Sequence, residues 1–196
     1  MGEAGRQMLA LVDEMRRFHT QLALLLGTCE ELMGQRGWRN AATDSAVWAY
    51  GSTSSDRPGG WMPSEVFRFY MNEKMPRVLA FTSAVLQDAE GDFTRPLEEP
   101  LMCGGWFTYD MLPKINSSMQ WHSRWHCYQE ERRDDGTWHE MMTSAMKPED
   151  VKKYQYGFKR VRTFAVRLDE IVDAASLRTR VVDPLIADIA KTPLLS

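Results

Sequence analysis

The first 36 residues carry the pattern that most restricts the fold of this chain, an unbroken heptad repeat. Its members recur at alternating steps of three and four, with no proline among them, which is the spacing that lines one face of an α-helix. They are Met8, Leu11, Met15, Phe18, Leu22, Leu25, Cys29 and Leu32. Val12, Leu26 and Met33 widen the stripe, and this width favours a helix packed on a core or in a bundle over a bare two-stranded coiled coil. The pattern predicts a helix over residues 1–36, ended by Gly34 and Gly37.

The length of this helix raises the question of what covers its apolar stripe. Thirty residues of helix measure about 45 Å, whereas a domain of 196 residues has a radius of gyration of about 16 Å. No second helix of comparable length is apparent, so a second copy of the chain is the expected partner. The predicted dimerisation residues are Met8, Leu11, Met15, Phe18, Leu22, Leu25 and Leu32. The alternative is that the protein's own sheet and C-terminal helix cover most of the stripe.

The apolar pattern changes after the helix, and residues 40–110 are predicted to form mostly strands. The "AVWAY" segment at 46–50 and the branched, aromatic segment from Val78 to Leu86 are typical of strands. "PSEVFRFYMNEK" at 63–74 opens with a proline, a serine and a glutamate and indicates a short helix. "EPLMCGGWFTYD" at 99–110 predicts another strand, in which the paired glycines mark a bulge or a close backbone approach.

The C-terminal part of the chain is predicted to add two helical segments and a last strand. "KPEDVKKYQYGF" at 147–158 indicates a short helix, and "RVRTFAVRL" at 160–168 alternates as a strand with one buried face does. Residues 169–190 predict a helical tail that is kinked or restarted at Pro184. Strands gathered between helical ends indicate an α+β fold with a mostly antiparallel central sheet. We therefore expect one domain over residues 1–196, with the helix at 1–36 and an α+β body at 40–196.

The segment "WHSRWHCYQEERRDDGTWHE" at 121–140 is rich in tryptophan and histidine, and its pattern predicts a β-hairpin. A four-residue turn at 133–136 ends in glycine and pairs Glu130 with His139 across the two strands. Large rings with polar tips are typical of protein-binding surfaces. The residues expected to bind a partner protein are Trp121, Trp125, Trp138, His139 and Met141.

The histidines of this segment also allow a metal site, which we retain as an alternative. His122, His126, Cys127 and His139 carry atoms that zinc accepts, and such a site would make the protein a metal-dependent hydrolase. On a strand, however, His122 and His126 lie about 13 Å apart, too far to share one ion. The sequence therefore predicts no metal, no cofactor and no catalytic residue, with the hydrolase kept as the second reading.

A basic and aromatic stretch at 152–162 suggests a third function, binding of nucleic acid. Cations for phosphates and rings for bases are what single-strand binding needs. The residues concerned are Lys152, Lys153, Tyr154, Tyr156, Lys159 and Arg160. The net charge of −3 provides no general attraction to nucleic acid, so this function stays a minor alternative.

Composition sets the expected compartment. The longest apolar runs have five residues, against the roughly 20 that a membrane span requires, and the start of the chain lacks a secretory signal. Three widely spaced cysteines without a CxxC pair indicate reduced thiols in the cytoplasm. The sequence thus predicts a cytoplasmic, non-catalytic binding protein that forms a homodimer through its N-terminal helix and does not enter membranes.

Overall fold

The computed structural model describes residues 2–41, 48–49, 63–88, 93–113, 115, 124–145 and 157–192. Within these ranges the chain is an α+β protein in which an N-terminal helix and a C-terminal helix accompany an antiparallel sheet. The predicted fold class is confirmed.

The N-terminal helix α1 spans Glu3–Gly34, so the helix predicted over residues 1–36 is confirmed. Trp38 donates its backbone N–H to the carbonyl of Met33 at 3.0 Å and thereby closes the end of the helix. This return requires Gly37 to adopt a φ of +79°, a left-handed conformation that glycine adopts without steric cost. Trp38 is buried at the point where the chain leaves the helix.

Seven strands form one antiparallel sheet within the described residues. They are β1 (Arg39–Asn40), β2 (Trp48–Ala49), β3 (Glu65–Met71), β4 (Val78–Val85), β5 (Leu101–Tyr109), β6 (His139–Met142) and β7 (Phe158–Arg167). The order is β1-β3-β4-β5-β7-β6, and β2 also pairs with β3. The strands predicted at 78–86, 99–110 and 160–168 are confirmed. Of the strand predicted at 46–50, residues 48–49 are described and are extended; the others lie outside the described residues.

Both faces of the sheet are buried. The helix face, which includes Tyr70, Trp106 and Phe164, packs against α1 and the C-terminal helix. The loop face, which includes Phe81 and Phe107, packs under the segments that connect the strands. Burial on both faces removes the alternation of polar and apolar residues that a half-exposed strand shows.

Because both faces of the sheet are buried, two of the predictions are wrong. Residues 63–74 do not form a helix, because Glu65–Met71 is the strand β3 and is buried on both faces over most of its length. The last strand is not buried on one face only, because residues 163–166 of β7 are all buried. Burial on both faces removes the alternation that identifies a strand, and in β3 even Glu65 and Arg68 are buried; without alternation the pattern does not distinguish a buried strand from a buried helix.

The hairpin predicted at 121–140 is also wrong. Trp125–Tyr128 is a 3-10 helix, and β6 pairs with β7, with His139 opposite Thr163. The turn residues 133–136 contribute one isolated bridge, between Asp135 and Val166. The predicted pair of Glu130 and His139 is therefore not formed, since β7 supplies the hydrogen-bonding partner. Most of the helix predicted at 147–158 lies outside the described residues; of its last two positions, Gly157 has a φ of +53° and Phe158 begins β7.

The C-terminal helix consists of α2 (Ala174–Leu177), a π-helical turn (Arg178–Val182) and α3 (Asp183–Ala190). Asp173 caps its start by accepting a hydrogen bond from the backbone N–H of Ser176 at 2.7 Å. Pro184 is the second residue of α3 and follows the π-helical turn without a break in the helical backbone. The interruption predicted at Pro184 is thus observed as a change of helix type, and the wide π turn before it accommodates the proline.

Candidate functional site

The free segment of α1, residues 3–21, lies outside the protein core. None of its residues is buried, and burial against the sheet begins only at Leu22. At 1.5 Å per residue this segment is about 28 Å long. The large apolar side chains of Met8, Leu11 and Met15 are exposed by 69%, 67% and 42%, and Leu9 and Val12 beside them are exposed as well.

The exposed apolar side chains are concentrated on this one helix. Six of the nine large hydrophobic side chains that are exposed in the described residues belong to α1. Isolated exposed hydrophobic residues are ordinary, whereas a contiguous apolar stripe on a surface marks an interaction site. The free segment is therefore the strongest candidate for a functional surface in the described part of the chain.

Local interactions alone give the free segment little helical stability. On its polar side Arg16 pairs with Asp13 at 3.2 Å and Arg17 pairs with Glu14 at 2.7 Å. Exposed pairs at this spacing contribute about 0.3–0.5 kcal/mol each, while isolated helices of this length are marginal in water. Most of the stability of such a helix comes from packing its apolar face against another element.

An apolar groove continues the stripe of the free segment along α1. This α1 groove has a volume of about 300 Å³ and runs between α1 and the start of the C-terminal helix. Phe18, Leu22 and Leu25 line it from α1, and Ile171 and Val172 line it from the opposite side. Phe18 follows Met15 in the heptad series, so the groove and the exposed stripe form one continuous apolar surface.

The predicted dimerisation residues divide between this surface and the protein core. Met8, Leu11 and Met15 are exposed, and Phe18 and Leu25 are half-buried. Leu22 borders the groove but is 6% exposed, and Leu32 lies in the core against the sheet. The chain's own sheet covers the C-terminal part of the α1 stripe, as the alternative interpretation expects. Nothing in the described residues covers the N-terminal part, which is the part that a second copy would cover.

The residues predicted to bind a partner protein do not form one surface. Trp125 is buried on the loop face, where its ring meets Phe158 edge-on with centroids 5.3 Å apart. Trp138 is half-buried and packs on Phe164 of the helix face with centroids 4.5 Å apart. His139 and Met141 are half-buried on β6, and Trp121 lies outside the described residues.

Of the possible metal ligands, the structure brings His126 and His139 together. Their ring centroids are 5.0 Å apart at an angle of 73°, contrary to the hairpin register, which separates them. Both nitrogens of the buried His126 are hydrogen-bonded: Nε2 to the carbonyl of Arg133 at 2.7 Å and Nδ1 to the hydroxyl of Thr163 at 3.3 Å. Because a carbonyl only accepts, Nε2 carries the proton and Nδ1 accepts from the hydroxyl. His126 is thus held as a neutral, satisfied imidazole.

Burial sets the protonation state of these groups. It lowers the pKa of His126 to about 4, and it also lowers the pKa of His139, with Arg133 adding to the effect. The hydrogen bond with Cys127, together with burial, raises the pKa of the Cys103 thiol well above its usual range. In the described residues no group of three or more histidine, cysteine, aspartate or glutamate side chains is arranged to hold a metal ion. His122 lies outside those residues.

The described cations of the basic stretch are paired with carboxylates. Lys159 contacts Asp110 at 2.7 Å, and Arg160 contacts Glu140 at 2.8 Å. The guanidinium of Arg160 also lies 5.3 Å from the centroid of the Trp106 ring. These carboxylates already neutralise the two cations that a phosphate would have to bind. Lys152, Lys153, Tyr154 and Tyr156 lie outside the described residues.

Sequence reasoning missed the far wall of the α1 groove. Val172 is 80% exposed although it is fully apolar, and it reaches α1 only through the three-dimensional fold. The sequence offers one weak signal for this wall: Ile171 and Val172 are two apolar residues that lie between acidic ones just before the helix cap. Nothing local connects them with residues 18–25, more than 140 positions earlier.

Comparison with models of protein families, with curated proteins and with solved structures found no match in any of the three. None of the helices in the described ranges has both the length and the apolar character that crossing a membrane requires.

Proposed function

We propose that this chain is a cytoplasmic, non-catalytic binding protein that works as a homodimer through α1 and contacts a partner protein through the segment at 121–141. The observation that carries the proposal is the free segment of α1. It exposes a continuous stripe of large apolar side chains along about 28 Å of helix. A second helix with the same stripe is the simplest partner that covers it, because an isologous contact uses one surface twice.

The magnitude of burial supports a dimer at ordinary protein concentrations. Fully burying a leucine or methionine side chain contributes about 1.5–3 kcal/mol. Met8, Leu11 and Met15 are between 42% and 69% exposed, so each contributes about 0.6–2 kcal/mol when covered. Two copies supply six such side chains, or about 5–11 kcal/mol together, against an association cost of at least about 4 kcal/mol. The surplus is at most about 7 kcal/mol, which corresponds to a dissociation constant of about 10 μM at its tightest.

The contact with a partner protein rests on fewer residues. Trp125 and Trp138 are used in packing, so His139 and Met141 on β6 are the members of the predicted set that support it. β6 ends the described strand order, and Met142 at its end is exposed. We therefore place this contact at β6. The cytoplasmic location is supported by the cysteines, all three of which are unpaired.

Neither alternative function gains comparable support. A metal-dependent hydrolase built on His122, His126, Cys127 and His139 would have to free the nitrogens of His126 from their hydrogen bonds. Nucleic-acid binding at the basic stretch would have to break the ion pairs of Lys159 and Arg160. Either function would therefore require the folded protein to lose hydrogen bonds or ion pairs that it already makes.

Sedimentation equilibrium tests the homodimer directly. We expect the wild-type chain to have the mass of a dimer at micromolar concentration, and Leu11→Glu to be monomeric, because it places a charge in the apolar stripe. Met111→Glu is the matched control, since Met111 is exposed by 84% but lies outside α1; it should stay dimeric. A wild-type chain that is still monomeric at about 100 μM, roughly ten times that dissociation constant, would refute the proposal.

A further inference from the structure

We infer that the two α1 helices of the dimer pair antiparallel, so that the free segment of each copy lies in the α1 groove of the other. This inference rests on the proposed homodimer and specifies its geometry. The second copy then supplies residues to a groove that is open among the described residues of the single chain.

The first support is that the heptad series permits an antiparallel register. Three pairs of its residues are placed symmetrically about the midpoint between positions 16 and 17. The pairs are Met15 with Phe18, Leu11 with Leu22, and Met8 with Leu25. An antiparallel pair with its two-fold axis at that midpoint brings each residue opposite the other member of its pair in the second copy. Every heptad layer from 8 to 25 is then apolar on both helices, as a stable helix pair requires.

The second support is that the two members of the pairs have complementary positions in the fold. Met8, Leu11 and Met15 project from the free segment, whereas Phe18, Leu22 and Leu25 line the α1 groove. Each pair therefore combines an exposed side chain of one copy with a groove residue of the other. Packing the exposed side chains of one helix into the spaces between the groove residues of the other buries apolar surface on both copies.

A parallel pair lacks this complementarity. It would set the groove residues of the two copies side by side, at the part of α1 that carries the sheet and the C-terminal helix. The bulk of both proteins would then meet at the same place. In the antiparallel pair each protein body meets the free segment of the other copy, in which no residue is buried.

The charges of α1 are compatible with the antiparallel contact. The positions that flank the heptad stripe hold Gln7, Glu14, Gln21 and Thr28 on one side and Val12, His19, Leu26 and Met33 on the other. Only Glu14 among them carries a full charge at neutral pH. The paired charges Asp13–Arg16 and Glu14–Arg17 lie toward the polar side of the helix and are more than half exposed. The flanking positions of α1 therefore contribute one charge per copy to the interface, that of Glu14, and the groove wall adds the carboxylate of Asp173.

Cysteine cross-linking distinguishes the two orientations. In the antiparallel pair Met8 lies opposite Leu25 of the second copy, while the two Met8 residues are 17 positions apart along the axis, or about 25 Å. A disulfide needs Cα atoms within about 7 Å. We expect Met8→Cys/Leu25→Cys to form a covalent dimer under mild oxidation, and Met8→Cys alone to form none. The three native cysteines are buried, and the wild-type chain is the control for them.

The outcomes separate the geometry from the dimer itself. A covalent dimer of Met8→Cys alone would show a parallel pair and would overturn the inference while leaving the homodimer intact. A chain that sediments as a dimer but cross-links in neither variant would overturn the register in the same way. A monomeric wild-type chain would overturn both.

A substitution in the far wall of the groove tests whether the groove takes part. Val172→Glu places a charge on a side chain that is 80% exposed in the single chain, so the fold should tolerate it. We expect it to raise the dimer dissociation constant at least tenfold, with an unchanged circular dichroism spectrum. Met111→Glu is again the control and should leave the constant within twofold. An unchanged constant for Val172→Glu would show that the second helix does not enter the groove.

Discussion

The glycine pair in β5 provides a quantitative test of the fold. Gly105 lies directly across the strand pair from Phe81, and Gly104 lies directly across from Phe164 of β7. Because neighbouring residues of a strand point to opposite faces, the two rings cover the two glycines from opposite sides of the sheet. A Cβ on Gly105 would lie 2.5 Å from Cε1 of Phe81 and 2.6 Å from the carbonyl oxygen of Arg162.

Replacing Gly105 with alanine should therefore destabilise the protein strongly. Both contacts must open by about 1 Å to become ordinary van der Waals contacts. Phe81 is buried and packs against Phe107, with ring centroids 5.5 Å apart, and the oxygen of Arg162 belongs to the paired strand β7. Overpacking of a core costs about 1–3 kcal/mol, and we expect the upper end because a backbone atom is involved. For a chain of this length, ~3 kcal/mol lowers Tm by about 6–12 °C.

The same substitution at Gly27 is the matched control, with the opposite sign. Gly27 is exposed on α1, and nothing lies within 4 Å of a Cβ added there. Alanine in the interior of a helix is more favourable than glycine by about 1 kcal/mol, so Gly27→Ala should raise the free energy of unfolding. Both variants are measured by urea and thermal denaturation at one protein concentration, because the proposed dimerisation would make Tm concentration-dependent. A free energy of unfolding for Gly105→Ala within about 1 kcal/mol of the wild type would refute the packing described for β5.

Two further predictions concern buried polar groups. The pKa of His126 is lowered to about 4 in the folded protein from about 6.5 in the unfolded chain, so the unfolded chain binds the proton first as the pH falls. The contribution of His126 to stability should be constant above about pH 6.5 and fall by up to about 1.4 kcal/mol per pH unit between 6.5 and 4; His139 adds with the same sign, and His126→Gln should flatten the urea-derived profile in this range. Asp188 accepts hydrogen bonds from Nε1 of Trp106 at 2.8 Å and from Arg162 at 3.0 Å. Asp188→Ala should lower the free energy of unfolding by about 2–3 kcal/mol, and a loss below 0.5 kcal/mol, roughly that of an ordinary surface change, would contradict these contacts.

Local patterns in the sequence predict those parts of the fold that depend on neighbouring residues. The heptad stripe predicts α1 because a helix repeats its contacts every three or four residues, and the prediction holds from Glu3 to Gly34. The paired glycines predict a close approach, and the structure has one on each side of β5. The close contacts come from phenylalanine rings as well as from a backbone oxygen, and the sequence does not specify which.

Predictions fail where the partner of a segment lies far away in the chain. The turn signal at 133–136 is sound as a local pattern, but β6 pairs with β7, some twenty residues later. When a different strand pairs with β6, different side chains lie next to one another. His126, which the hairpin keeps apart from His139, reaches it from a 3-10 helix instead. A register argument therefore holds only when the pairing of the strands is known.

The α1 stripe shows the same limit in the candidate site. One heptad pattern serves two different contacts: Cys29 and Leu32 pack on the chain's own sheet, while Met8 and Leu11 are exposed. The spacing of the residues is identical in both parts, so no property of the pattern separates them. What separates them is where the sheet ends along the helix, which depends on the length and position of β3 and on the C-terminal helix. The exposed part retains a pattern suited to a buried contact, and the antiparallel pair accounts for that pattern because it gives each exposed member an apolar residue of the second copy as its partner.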